Sequence, residues 1–166
     1  MEVGCRRITH FNVTASPTAE WTLQQFREAI SGEEPYRYLI HDRDKIYSRE
    51  LDSGLKAMGL RILKTPFRPP QANAYCERLV GSIRRECLDY LIPLNQKHLW
   101  RTLKQWVGHY SRGRPHLSLG PGIPHPPLDL PQEASWQDRI PPYCSVVAKP
   151  ILGGLHHEYG LERFVA

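Results

Sequence analysis

The sequence lacks any apolar run near the roughly 18 residues that a membrane-spanning helix needs. A signal-peptide pattern is missing as well, and internal repeats are absent. We therefore expect neither export nor membrane insertion, and we predict a reduced cytoplasmic compartment for this chain.

Cysteine is scarce, and its four positions show no spacing typical of zinc or redox sites. Cys76 and Cys87 are the two that one helix would carry on nearly the same face. We predict that both are core thiols. The adjacent histidines of His156-His157-Glu158 point in different directions on either a helix or a strand, so this cluster is a poor chelate.

The chain has a mild excess of positive charge. The 166 residues include 22 Lys+Arg against 17 Asp+Glu, which gives a net charge of +5 and a pI near 9.1. This balance favours a polyanionic partner through counterion release, although many soluble proteins with no nucleic-acid role are equally basic. The length supports one domain with an appendage.

Hydrophobic periodicity predicts alternating strands and helices. We expect strands over residues 6–14, 36–40 and 59–64, and helices over 18–30 and 47–58. A further helix is predicted to open at Asn73, its N-cap, and another to span residues 96–110. This order indicates a layered α/β domain.

Two carboxylates stand out against this pattern. Asp42 follows the predicted strand 36–40, and Glu77 lies in the first turn of the helix that opens at Asn73. The helix dipole favours the ionised form of Glu77, and ionised oxygens are the ligands that Mg²⁺ or Mn²⁺ requires. Gly81 and Arg84 share its face, which leaves space for a backbone and adds a cation. The alternatives are that Asp42 is an N-cap or turn residue and that Glu77 is only a favourable surface charge.

Three segments together resemble the catalytic core of the D-D-E transposases and integrases, in the branch of insertion-sequence transposases and retroviral integrases. They are the acidic turn from His41 to Tyr47, the segment from Asn73 to Glu86, and Tyr110-Ser111-Arg112-Gly113-Arg114-Pro115-His116. The resemblance runs from about residue 6 to 124. It implies an RNase H-like α/β fold, in which a mixed central sheet is flanked by helices.

The resemblance also implies roles for individual residues. Asp42 falls on the second catalytic Asp of the family and Glu77 on its catalytic Glu, so both are expected to bind Mg²⁺ or Mn²⁺. Arg84 falls on a basic position that faces DNA in such enzymes. If the core folds as this family does, several cations gather at one cleft edge, where they would contact phosphates. The DNA-binding candidates are Lys64, Arg68, Arg84, Arg85 and Arg114.

The chain departs from the family at its beginning. No Asp precedes Asp42, whereas the family carries its first catalytic Asp on an opening strand. We expect residues 1–116 to be an N-terminally truncated core that lacks this strand, binds its metal weakly and is defective in strand transfer. Residues 117–144 are predicted to be a proline-rich linker, and 145–166 a short, irregular C-terminal extension, which packs on the core, pairs as two strands or contacts a second subunit.

Two other function classes remain open. The same fold carries metal-dependent nucleases of the RNase H type, and fold alone does not fix function. A non-catalytic remnant that binds DNA, or that pairs with another copy or with a full-length transposase, is the other alternative. The expected location in each case is the prokaryotic cytoplasm, in association with the nucleoid.

Overall fold

A computed structural model describes residues 1–30, 36–66, 74–120, 122–126, 140 and 143–163. The chain divides into two compact units. Unit 1 consists of Ile8–Trp100 with Met1, and unit 2 of Glu2–Arg7 with Arg101–Ala166. None of the helices in the described ranges is long and apolar enough to cross a membrane.

Unit 1 contains alternating helices and strands. They are α1 (Ala19–Ala29), β1 (Tyr38–His41), α2 (Arg49–Ala57), β2 (Arg61–Lys64) and α3 (Ala74–Glu86), followed by a 3-10 turn at Leu88–Tyr90. The next helix, α4 (Gln96–Arg112), lies mostly within the residues of unit 2. Every helix predicted from periodicity is present, within two residues of the expected limits.

Side-chain caps fix where the first two helices begin. The Thr18 hydroxyl accepts a hydrogen bond from the Trp21 backbone N–H at 3.1 Å, and the Ser48 hydroxyl accepts one from the Leu51 N–H at 3.2 Å. Each cap satisfies a backbone donor that a helix start leaves without an intrahelical partner. The predicted cap of α3, Asn73, lies outside the described residues.

The two strands of unit 1 form a parallel pair. Their register aligns Tyr38 with Arg61 and His41 with Lys64. Within the described residues this pair is the whole sheet of unit 1. Strands β1 and β2 therefore match two predicted strands, while the larger mixed sheet stays a prediction.

The strand predicted over residues 6–14 is wrong. These residues form no ladder with any described strand. Instead, side chains tie the segment to α1, since His10 Nε2 and Asn12 Nδ2 lie 2.9 Å and 2.7 Å from Gln25 Oε1. An extended segment needs a paired neighbour to become a strand, and here side-chain bonds replace that neighbour.

The core of unit 1 is built on leucines from α2 and the start of β2. Leu51, Leu55 and Leu60 are buried, and Leu23 and Phe26 of α1 pack against them. Burying a leucine side chain stabilises a fold by about 1.5–3 kcal/mol. This cluster fixes α2 beneath the parallel pair and so sets the position of the residues at the strand ends.

Unit 2 contains an antiparallel ribbon formed by β3 (Cys144–Ile151) and β4 (His156–Arg163). The strand pair expected for residues 145–166 is present, and the contact of Glu158 with His109 also packs the ribbon on α4. The ribbon shows that the extension is regular, which corrects the expectation of irregular structure. Within the predicted linker 117–144, a 3-10 turn at Leu117–Leu119 is described, and 127–139 lie outside the described residues.

The prediction of two core thiols on one helix is half right. Cys87 is fully buried, whereas Cys76 is exposed. Ser82 is the buried residue of α3. The first turn of α3 therefore presents Cys76 to solvent, although its apolar neighbours suggested a buried stripe.

Candidate functional site

Asp42 directly follows the last residue of β1. Its carboxylate is half-buried and accepts a hydrogen bond from the Asp44 backbone N–H at 3.0 Å. The Asp44 carboxylate in turn accepts one from the Ile46 N–H at 2.9 Å. Asp44 is thus a turn residue, and the second oxygen of Asp42 makes no hydrogen bond to a described residue.

A buried polar network lies directly beside Asp42. His41 is 5% exposed, and its Nε2 lies 3.0 Å from Oδ1 of Asp52 on α2. The other oxygen of Asp52 forms an ion pair with Lys64 Nζ at 2.5 Å. The same imidazole places Nδ1 2.5 Å from the backbone oxygen of Asp42. His41 therefore joins Asp42 to the end of the second strand through Asp52.

His41 is held by contacts on both ring nitrogens and on its face. Nδ1 lies 2.5 Å from the Asp42 carbonyl oxygen and Nε2 lies 3.0 Å from the Asp52 carboxylate, and both partners are acceptors. The Tyr47 ring stacks on this imidazole at a centroid distance of 4.1 Å and an interplanar angle of 12°. These contacts fix the orientation of the ring.

The Asp52 carboxylate is stabilised in its charged form. Burial alone would raise its pKa, but hydrogen bonds from Lys64 and His41, together with their positive charges, hold the pKa below its usual value. A carboxylate between two donors is the arrangement in which a buried charge is tolerated. Asp52 is therefore an anionic link between two strand ends.

Tyr47 lies close to the end of β1, where its ring stacks on His41. Burial raises the pKa of the Tyr47 hydroxyl, and the negative charge of Asp42 raises it further. Glu77 is exposed in the first turn of α3. The pairing of Asp42 with Glu77 at one metal ion stays a prediction.

The cations of α3 differ in how they are engaged. Arg84 leaves 77% of its side chain exposed and forms a long ion pair with Asp89 at 3.4 Å. Arg85 is exposed, and its guanidinium lies over Gly81, where an added Cβ would meet Nη1 at 3.0 Å. The space expected over Gly81 is therefore filled by Arg85 and not open to another backbone.

The remaining DNA-binding candidates lie on separate segments. Lys64 ends β2 and is 39% exposed, with its amine paired to Asp52. Arg114 lies in unit 2, with its guanidinium 5.8 Å from the centre of the Tyr110 ring. Arg68 lies outside the described residues.

Sequence reasoning missed Asp52 as a member of this site. Eleven residues separate it from His41, and no motif marks it. A faint signal was available, since Asp52 stands beside Leu51 on the inward side of α2, where a carboxylate needs a polar partner. His41, the first residue of the acidic turn, is a buried link between Asp42 and Asp52.

Unit 2 contains a second polar cluster that joins the ribbon to α4. Glu158 Oε1 of β4 lies 3.0 Å from Nδ1 of the buried His109, and the ring of His156 stacks on His109 at 4.9 Å. His157, by contrast, is exposed, as the alternation of side chains along a strand requires. A Cβ at Gly113 would overlap the Glu158 carboxylate, so this glycine makes the close approach possible.

This second cluster does not have the arrangement of a metal centre in the described residues. In the described ranges, no group of three or more His, Cys, Asp or Glu residues is arranged to hold an ion. The cluster instead anchors β4 against the segment Tyr110 to His116, which carried part of the family resemblance. Within that segment His116 Nε2 lies 3.3 Å from the Tyr110 carbonyl oxygen.

Residues 58–124 match the family model of the integrase core domain. This segment of the chain is similar to an integrase core. The match begins after Asp42 and includes Lys64, Glu77, Arg84 and Arg114. A comparison with curated proteins and one with solved structures gave no match.

The similarity to this family agrees with the mixture of helices and strands in the described residues. It connects the chain broadly with DNA integration and transposition, and with enzymes that typically use divalent cations. The integrase match contains α3 and the whole segment from Tyr110 to His116. The carboxylate of Glu77 and the cations Arg84 and Arg85 therefore lie within the matched residues.

Proposed function

We propose that this chain is a D-D-E integrase core in which Asp42 and Glu77 bind Mg²⁺ or Mn²⁺ for DNA strand transfer, on an RNase H-like sheet. The observation that carries the proposal is the integrase match over residues 58–124, which includes Glu77. The position of Asp42 at the end of β1, with Glu77 in the first turn of α3, supports it.

The two side chains suit a hard cation. Both present carboxylate oxygens, and Asp42 is held in place by a backbone hydrogen bond. Mg²⁺ commonly uses one or two protein carboxylates and completes its shell with water and substrate phosphate oxygens. A bound ion would supply charge stabilisation at the transferring phosphate and activation of the attacking oxygen.

Strand transfer by the 166-residue chain itself should be slow. Two-metal catalysis relies on a carboxylate that bridges the ions, and the sequence offers no Asp ahead of Asp42 for that role. The chain would then bind metal weakly and act mainly by binding DNA or by pairing with another copy or a full-length transposase. The nucleoid of the prokaryotic cytoplasm is the location that such a role requires.

Metal binding gives the direct test. Glu77→Gln removes one of two ligand charges, so we expect the Mn²⁺ dissociation constant to rise by about tenfold or more, and Asp42→Asn to act similarly. Electron paramagnetic resonance of free Mn²⁺ measures this constant. Glu20→Gln, an equal charge change at an exposed position of α1, serves as the control.

The outcome separates the candidate functions. Equal affinities in all three variants and the unaltered chain would contradict the metal site. If the chain with Mn²⁺ joined a donor end to target DNA at a rate abolished by Glu77→Gln, the expected defect in strand transfer would be wrong. Hydrolysis without joining would favour the nuclease alternative.

DNA binding is expected to depend on Arg84. Its exposed guanidinium has one long ion pair at the surface, which contributes little, so a phosphate can compete for it. Arg84→Ala should weaken binding to a random duplex about threefold to tenfold and reduce the slope of log K against log salt by about 0.9. Arg27→Ala on α1 is the matched control, and fluorescence anisotropy across a salt series is the measurement.

A result of equal affinity and equal slope for Arg84→Ala and the unaltered chain would remove Arg84 from the DNA surface. Binding insensitive to salt in every variant would contradict a phosphate-based mode as a whole.

A further inference from the structure

The buried network beside Asp42 joins three elements at one end of the parallel pair. His41 and Lys64 are register partners at the ends of β1 and β2, and Asp52 reaches them from α2. The Thr65 N–H donates to the His41 backbone oxygen at 3.0 Å and prolongs the ladder by one bond. The strand ends are therefore fixed by backbone and side-chain bonds together.

The network contacts Asp42 through its backbone. Since Nδ1 of His41 donates to the Asp42 carbonyl oxygen, the orientation of the imidazole sets the orientation of that peptide group. Asp52 and the stacked Tyr47 ring hold the imidazole, and Lys64 holds Asp52. Three contacts thus lead from Lys64 at the end of β2, through Asp52 and His41, to Asp42, which directly follows β1.

We infer that Asp52 and Lys64 are positioning residues for Asp42, acting through His41 to hold its carboxylate ready for a divalent cation. This inference rests on the proposed metal role of Asp42. Neither Asp52 nor Lys64 would touch the ion, because the Asp52 oxygens are occupied by His41 and Lys64. Groups that orient a metal ligand from one contact away commonly change metal affinity by 10- to 100-fold when removed.

A substitution of Lys64 provides a test, because a positioning role and simple electrostatics predict opposite changes in Mn²⁺ affinity. Lys64→Met keeps most of the stem and removes a positive charge. If only charge mattered, Mn²⁺ would bind more tightly because a nearby cation is lost. If Lys64 positions Asp42 through Asp52 and His41, Mn²⁺ binds more weakly, and we expect a dissociation constant about threefold to tenfold higher.

The experiment compares Mn²⁺ dissociation constants of the full 166-residue chain and four variants by electron paramagnetic resonance, without DNA. Lys64→Arg keeps a cationic donor and should restore the affinity to within about twofold, because it can still hold Asp52. Lys56→Met, at an exposed position of α2, makes the same change outside the network and should leave the affinity unchanged. Asp52→Asn should weaken binding about tenfold.

Folding is checked by circular dichroism and thermal unfolding of each variant. Should Asp52→Asn fail to fold, the comparison of Lys64→Met with Lys64→Arg still decides, since Lys64 is partly exposed and tolerates either side chain. Unchanged or tighter Mn²⁺ binding by folded Lys64→Met would overturn the inference.

Failure of the proposed metal role gives a different pattern. In that case the unaltered chain would bind no Mn²⁺, or Asp42→Asn would bind it equally well. Loss of affinity in Asp42→Asn together with unchanged affinity in Lys64→Met would retain the metal site and reject the positioning role alone.

Discussion

Leu55→Ala should lower the free energy of unfolding of unit 1 by about 2–5 kcal/mol, because it leaves a cavity in the centre of the core. Leu55 is 0% exposed and packs with Leu51 and Leu60. The neighbouring glycine, Gly54, allows Leu23 of α1 to approach, so little room exists for the core to collapse around the cavity. Urea unfolding followed by circular dichroism measures the loss.

Leu94→Ala provides the matched control for this change. Leu94 is 79% exposed, so the same substitution removes little buried surface, and we expect a change within about 0.5 kcal/mol. A loss of similar size in both variants would mean that Leu55 is not central to the core.

Trp106→Ala should destabilise unit 2 by about 3–5 kcal/mol. Trp106 is 0% exposed, and its ring lies 4.9 Å from that of Tyr110, which meets His116 edge-on at 4.6 Å. The substitution removes the largest fully buried side chain in the described part of the chain. Tyr110 and His116 then lose the ring that packs against them. Thermal unfolding monitored by near-ultraviolet circular dichroism is the measurement.

Trp106→Phe is expected to cost far less than Trp106→Ala. The buried Nε1–H of Trp106 has no acceptor among the described residues. Phenylalanine removes this unsatisfied donor while keeping an aromatic ring, so the net loss should stay within about 1.5 kcal/mol. A loss as large as that of Trp106→Ala would show that Nε1 makes a hydrogen bond that stabilises the fold.

Local signals in the sequence were sufficient for the helices. Thr18 and the apolar spacing from Trp21 to Ile30 define α1, and similar spacing defines α2 and α4. These signals depend on residues three or four positions apart, which the chain places together by itself. The strand at residues 6–14 was mispredicted because a strand depends on a distant partner, whereas His10 and Asn12 bond to α1 instead.

Part of the candidate site can be proposed from the sequence. Asp42 and Glu77 each stand at the end of a recognisable element, and the integrase match includes Glu77, while their metal role stays a prediction. Asp52 could not be found in this way, since its partners come from two different strands and meet it only in the folded unit. Polar contacts between residues far apart in the sequence produce no regular spacing from which they could be predicted.

The ion pair between Lys64 and Asp52 also bears on how tightly this protein can hold a nucleic acid. Lys64 is already paired with Asp52, so binding a DNA phosphate would break this pair and leave the Asp52 carboxylate with His41 as its partner. A lysine that stays in such a pair releases no sodium ion from DNA when the protein binds. Counting every basic residue near the strand ends therefore overestimates the number of released sodium ions by one for each paired lysine.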